Sequence, residues 1–315
     1  MKVDEGLIRD IFRLFVWFPL RWSVGVVPVR WAFYIFKLMG DAHYLGGGRK
    51  KRVISENLKN LLGLENGDAP GIVKGNFENH YTDRLHIFLY PRLRTRDSIE
   101  RFLTFENREV LDGELKGGRG ALLVQPHFGP VQITLLALSL YGYDPIQVGY
   151  PTDRGLSRVG RSVAYRYRLR YEGMLPSPII AADRFLGPVY KHLLNNGVVL
   201  TTGDGAGGGV YLGEHRELEF LNSRRPFPLG PAALSLRTGA SYIPTFITTE
   251  GPARFRIVFE EPIRPRYGEM EKDKLFMTEA FRTIAEGYIR RYPQSWHFWD
   301  EVGRDFQSSP ARTLK

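Results

Sequence analysis

Apolar and polar positions along the chain change rhythm near residue 119. From there on, short apolar runs of strand length alternate with apolar residues at helical spacing. Residues 120–125, 145–149, 177–181, 197–202, 242–247 and 254–260 read as strands. Residues 130–140, 155–170, 184–195, 229–238 and 273–291 read as helices. In the last of these, Leu275, Met277, Phe281, Ile284, Tyr288 and Ile289 fall on roughly one side, an ordinary core stripe. Upstream, 49–62 and 69–90 read as helices parted by the turn signals of GLENGDAPG (63–71). The pattern predicts a helical N-terminal region leading into one α/β domain, divided here as 1–45 and 46–315.

Residues 7–39, LIRDIFRLFVWFPLRWSVGVVPVRWAFYIFKLM, are dense in aromatic and aliphatic side chains. Arg9, Arg13, Arg21, Arg30 and Lys37 interrupt them, so no stretch reaches the ~18 uncharged residues of a clean spanning helix. Asp4 and Glu5 and the lack of a small-residue cleavage site argue against a secretory signal. Three readings remain: a helix lying in the headgroup layer, a short span with snorkelling arginines, or a buried amphipathic helix. GGGRKKR (46–52) follows at once and suits anionic lipid headgroups, on the cytoplasmic side of any span.

The net charge of +10 points to an anionic partner. Nucleic acid is the rival to a lipid surface. The sequence carries no zinc spacing, helix-turn-helix or RNA-module signature, and apart from 49–52 its basic residues are scattered. A membrane partner is therefore expected, and no nucleic acid. Cysteine is absent, which removes disulfides, thiolate catalysis and Cys-based metal sites. No metal and no cofactor is expected.

Two stretches carry candidate chemistry. GDGAGG (203–208) matches GxGxxG and follows a strand, but it opens onto the alternating GVYLGEHRELEFLN, where a dinucleotide site needs a helix. Asp204 is then a turn residue, or a polar group at the carboxyl end of a strand facing the same crevice as His127. QPHFGPVQ (125–132) places His127 where a strand hands over to a helix, as a base or as a loop residue. With Gly129 as N-cap, Pro130 falls at the first helical position and Gln132 at the third. There Gln132 caps the helix or sets its amide beside the imidazole. The N–H groups of Gly129 and Val131 would face an anion formed near His127, a combination suited to acyl transfer.

A histidine followed after four residues by an acidic one marks the glycerolipid and lysophospholipid acyltransferases. HFGPVQ resembles the HFGxxE version in the bacterial lipid A late acyltransferases, the lauroyl or myristoyl acyltransferases. KKRVISENLKNLLG (50–63), LLNNGVVLTTGD (193–204), FPLGPAALSLRTGASYIP (227–244) and YIRRYPQSWHFW (288–299) resemble further segments of that family, in order over roughly residues 20–300. Three features depart from it: Gln132 replaces the acidic residue, DEVGRDF follows the Trp segment, and Pro stands at position 151, where Arg154, Arg168 or Arg170 would have to substitute for an arginine.

The resemblance implies a mixed sheet flanked by helices and a protein on the cytoplasmic face of the bacterial inner membrane. It implies transfer of a fatty acyl group from acyl carrier protein or coenzyme A to a hydroxyl or amine of a membrane lipid or glycolipid. His127 would be the base and Gln132 its orienting partner. Gly129 and Val131 would hold the oxyanion, and Asp204, Arg154, Arg168 and Arg170 would bind substrate. Asp204 is also a candidate for the missing carboxylate behind His127. Two alternatives use the same site: a degenerate member that binds acyl lipid without turnover, and an acyl hydrolase or cyclase.

Overall fold

A computed structural model of the protein describes residues 6–64, 68–150, 152–153, 155–205 and 212–302. The N-terminal region is a series of helices: α1 (Leu7–Phe15), α2 (Arg21–Val26), α3 (Val29–Gly46), α4 (Gly48–Leu62) and α5 (Ala69–Leu85). A π-helical turn, Val16–Leu20, carries Pro19 and joins α1 to α2. Pro28, which cannot continue a helix, separates α2 from α3. Among the described residues no helix is long and apolar enough to cross a membrane. The region is nonetheless built into the core: Val24, Ala32, Phe33 and Phe36 are fully buried and share one apolar cluster with Ala121, Leu123 and Ile247 of the sheet.

Next come α6 (Arg96–Glu100), β1 (Leu103–Glu106), α7 (Arg108–Lys116), β2 (Ala121–Gln125), α8 (Val131–Leu140) and β3 (Pro145–Gly149). They are followed by α9 (Arg166–Glu172), β4 (Ile179–Ala181), α10 (Gly187–Leu194), β5 (Val198–Thr202) and the hairpin β6 (His215–Phe220) and β7 (Ser223–Pro228). The chain closes with α11 (Gly230–Thr238), β8 (Ser241–Gly251), β9 (Arg254–Phe259) and α12 (Met270–Arg291). Seven strands form a sheet in the order β1-β9-β8-β2-β5-β3-β4, parallel except where β9 runs antiparallel to β8. The sheet is thus mixed and flanked by helices, as expected.

β2 shows why its sequence lacks polar alternation. Leu123 packs into the cluster shared with α8 and the N-terminal helices, while Leu122 and Val124 face Met277 and Phe281 of α12. A central parallel strand covered on both faces has no polar side to display. The alternating residues after GDGAGG form the β6–β7 hairpin, as the sequence pattern indicates, and the end of that motif, 206–208, lies outside the described residues.

Candidate active site

β2 and β5 are parallel neighbours, and their register pairs Gln125 with Thr202. Two residues further along each strand stand His127 and Asp204, which the same register sets side by side at the carboxyl edge of the sheet. Gly203 donates its N–H to the Gln125 carbonyl at 3.0 Å and so extends the pairing past the strand end. A Cβ at Gly203 would lie 2.6 Å from Val124 and from Phe281, so only glycine lets the chain pass beneath α12 here.

His127 Nδ1 lies 2.7 Å from Asp204 Oδ1, and the His127 backbone N–H donates to Oδ2 at 2.9 Å. The Trp296 indole N–H reaches the same Oδ2 at 3.0 Å. A carboxylate opposite Nδ1 fixes the proton there and leaves the Nε2 lone pair free. The Asp204 side chain is fully buried, whereas that of His127 keeps 29% of its surface exposed. Burial opposes the charged form of both. The Asp204 charge and hydrogen bond outweigh it for His127, whose pKa is raised above 6.5. For Asp204, burial is outweighed by the facing imidazolium and three N–H donors, and its pKa is lowered. Asp83 on α5 and Glu301 add smaller upward pulls on His127. The Phe298 ring packs 4.6 Å from the imidazole.

The loop carrying His127 is held from the other side by residues 293–299. Gly129 N–H donates to the Ser295 carbonyl at 2.8 Å, and His297 N–H to the His127 carbonyl at 2.9 Å. His297 Nε2 meets the Gly129 carbonyl at 2.7 Å. Asn76 donates to the carbonyls of Gln294 and Trp296, Asn79 to that of Gln294, and Asn57 to that of Trp299. The N-terminal helices therefore fix the closing segment, and the closing segment fixes the histidine loop.

Two expectations need correction. The first is the oxyanion pair. Gly129 adopts φ +63, which aims its N–H at Ser295, and a Cβ there would lie 2.6 Å from the Ile247 carbonyl oxygen. Pro130 (φ −80, ψ 74) centres an inverse γ-turn that engages the Val131 N–H with the Gly129 carbonyl at 3.0 Å. Both N–H groups are satisfied by backbone.

The second is Gln132 as the partner of His127. The γ-turn delays the helix start to Val131, which rotates Gln132 away from the imidazole. Its Nε2 donates to Glu172 at 2.9 Å, and its Oε1 lies 3.3 Å from the Tyr90 hydroxyl. Glu172, buried, also accepts from Arg168 Nε at 2.7 Å, and His86 Nε2 lies 3.1 Å from Tyr90. Asp83 adds its charge to this group as well as to His127. Gln132→Ala is expected to lower stability by about 1–2 kcal/mol, since it removes donors and acceptors from a buried network. The titration of His127, read by NMR, is expected to stay in place; a shifted midpoint would show that Gln132 acts on the base.

Asp204, expected in substrate binding or behind the histidine, lies behind the histidine. Of the three arginines, Arg168 is bound to Glu172, Arg170 is exposed in the last turn of α9, and Arg154 lies outside the described residues. Tyr90, Glu172, Asp83 and the indole of Trp296 had no individual sequence signal; only the YPQSWHFW segment pointed to the last. Among the described residues no cluster of three or more His, Asp and Glu could hold a metal.

The fold and site define a class of α/β protein, a mixed sheet with a buried-carboxylate–histidine pair at its carboxyl edge. Comparison with known proteins narrows it. The chain matches the bacterial lipid A biosynthesis acyltransferase family over residues 7–301 and belongs to that family. It is 26% identical over 265 residues to the phosphatidylinositol mannoside acyltransferase of Mycolicibacterium smegmatis, covering 81% of this chain and 80% of that protein. Among solved structures, the 1-acyl-sn-glycerophosphate (LPA) acyltransferase of Thermotoga maritima aligns with a TM-score of 0.35 and 12% identity, over 89% of this chain and 98% of that one.

Proposed function

We propose that this acyltransferase moves a fatty acyl group from a thioester, carried by acyl carrier protein or coenzyme A, to a hydroxyl or amine of a membrane glycolipid. The observation that carries the reading is the His127–Asp204 pair, on a partly exposed ring whose Nε2 has no hydrogen-bond partner among the described residues. His127 Nε2 takes the acceptor's proton as its oxygen or nitrogen attacks the thioester carbonyl. Collapse of the tetrahedral intermediate breaks the C–S bond, and the imidazolium returns the proton to the departing thiolate. Asp204 keeps the tautomer and balances the imidazolium charge. The name of the mycobacterial relative favours a glycolipid acceptor.

Membrane attachment is supported by the polarity of α1, which is inverted for a helix in water. Ile8, Ile11, Phe12 and Phe15, at i, i+3, i+4 and i+7, are all exposed. Its polar residues turn inward instead: Arg13 and Asp10 bond to each other and to Ser157. Trp22, Val26, Trp31, Leu38 and Leu45 extend the exposed apolar surface along α2 and α3. Soluble monomers rarely leave a contiguous apolar stripe such as that of α1 uncovered. The basic run at 49–52 occupies the first turn of α4, where the helix dipole disfavours cations, as expected if anionic headgroups compensate.

Ile8→Ser, Ile11→Ser and Phe15→Ser together are expected to cut vesicle binding about tenfold or more, since each buried CH₂ is worth ~0.8 kcal/mol. Activity on short water-soluble acceptors is expected to persist. Unchanged flotation with vesicles of anionic phospholipid would contradict this attachment. The reaction itself is tested by incubating the protein with acyl thioester and membrane glycolipid. Acyl-glycolipid supports transfer, free acid indicates a hydrolase, and no product indicates a binding protein.

A further inference from the structure

Asp204 is a buried carboxylate, and the indole of Trp296, itself fully buried, is one of its three N–H partners. We propose that Trp296 is a positioning residue, whose indole N–H holds Asp204 Oδ2 so that Oδ1 stays in line with His127 Nδ1. An indole can only donate. It therefore offers Oδ2 a permanent N–H that neither titrates nor flips, which a hydroxyl or amide in its place would not.

The ring is held as firmly as the hydrogen bond requires. Phe220, Phe298 and Trp299 pack edge-on around it at 4.8 to 5.8 Å. The Trp296 carbonyl accepts from Asn76 at 2.8 Å, and the backbone bridges antiparallel to Phe128, next to the histidine. The Arg225 guanidinium lies 5.3 Å from the indole face and draws electron density from it, which strengthens the N–H as a donor. One side chain thus ties the closing segment to both members of the pair.

The N–H also tempers the base. Its positive end points at the carboxylate that stabilises the imidazolium, so it lowers the affinity of His127 for a proton. Among the described residues, the charged and titratable groups around His127 include Asp204 after β5, Asp83 from α5, Glu301, His297 on the Gly129 carbonyl and Arg225 across the Phe298 ring. Of these, Asp204 alone loses a hydrogen-bond partner when the indole N–H is removed.

The test replaces Trp296 by 3-benzothienylalanine, which keeps the ring shape and exchanges N–H for sulfur, with Trp296→Phe as a second variant. In the full chain labelled with ¹³C at histidine Cε1, the His127 signal is assigned by its loss in His127→Gln. Its midpoint is expected to fall by about half a pH unit or more in the benzothienyl protein, because the loss of the Oδ1–Nδ1 alignment outweighs the lost tempering. A rise would show that the N–H tempers the carboxylate without positioning it. Trp299, whose indole N–H donates to the Pro293 carbonyl, receives the same analogue as a control and is expected to leave the midpoint in place. An unmoved His127 midpoint in the Trp296 analogue overturns the proposal.

The effect on turnover rests on the acyl-transfer reading: kcat is expected to fall about tenfold with KM within about twofold. The titration does not depend on that reading. A lowered midpoint in a protein without transferase activity would refute the reaction and leave the positioning role standing. An unshifted midpoint in an active enzyme would do the reverse.

Discussion

Replacing His127 by alanine is expected to lower acyl transfer by about 10²–10⁴-fold while the protein stays folded. The imidazole is partly exposed, and its ring makes one strong hydrogen bond, to Asp204. Its loss therefore costs little core packing, although it leaves a buried carboxylate with two donors where it had three. The pH profile of the wild type carries the second half of this prediction. A base works only when neutral, and Asp204 raises the pKa of His127 above 6.5. The rate should climb as pH rises through that raised value and level off above it. The stabilisation from the charged pair runs the other way: it is present below 6.5 and is lost as pH rises through the folded-state value. A rate in His127→Ala within about fivefold of wild type would remove the histidine from the mechanism.

Much of the α/β domain could be read from the sequence because its central strands are buried on both faces. Runs such as ALLVQ and VVLTT have no amphipathic alternative at strand length. β1 carries no strand signal of its own, because LTFE is four residues long, with only Leu103 buried. The N-terminal helices were legible as apolar and not as divided: Pro19 sits in a π-helical turn that carries the helix on, and Pro28 ends it.

The site was legible as two separate strand ends. Their pairing was legible only as one candidate role of Asp204, because it depends on which strands are neighbours and on a register of Gln125 with Thr202. Local sequence carries neither. Gln132 was misplaced for a smaller reason: one proline-centred γ-turn moves the helix start to Val131, and that rotation takes the amide from the histidine to Glu172. A motif spacing measured along the chain therefore says which residues are near the loop, and the backbone of the loop decides which one reaches the ring.

Asp204→Asn is expected to be the most damaging isosteric change, with turnover falling by about 10⁴-fold, the loss seen when an amide replaces the carboxylate behind a catalytic histidine. The three N–H groups that converge on Asp204 explain why. The His127 backbone and the Trp296 indole both donate to Oδ2, and His127 Nδ1 donates to Oδ1. An asparagine has one acceptor oxygen and one NH₂ group. With the oxygen toward the backbone and indole, two donors are satisfied and the NH₂ faces His127 Nδ1. The ring must then accept at Nδ1 and carry its proton on Nε2, the atom that has to take one. The opposite flip sets the NH₂ against two N–H groups in a buried place, which costs more. The charge is lost as well, so burial is left unopposed by Asp204 and the His127 midpoint should fall. The combined signature is a large loss of kcat with a lower, not higher, histidine midpoint. Turnover within about tenfold of wild type would show that the carboxylate does not set the tautomer of His127.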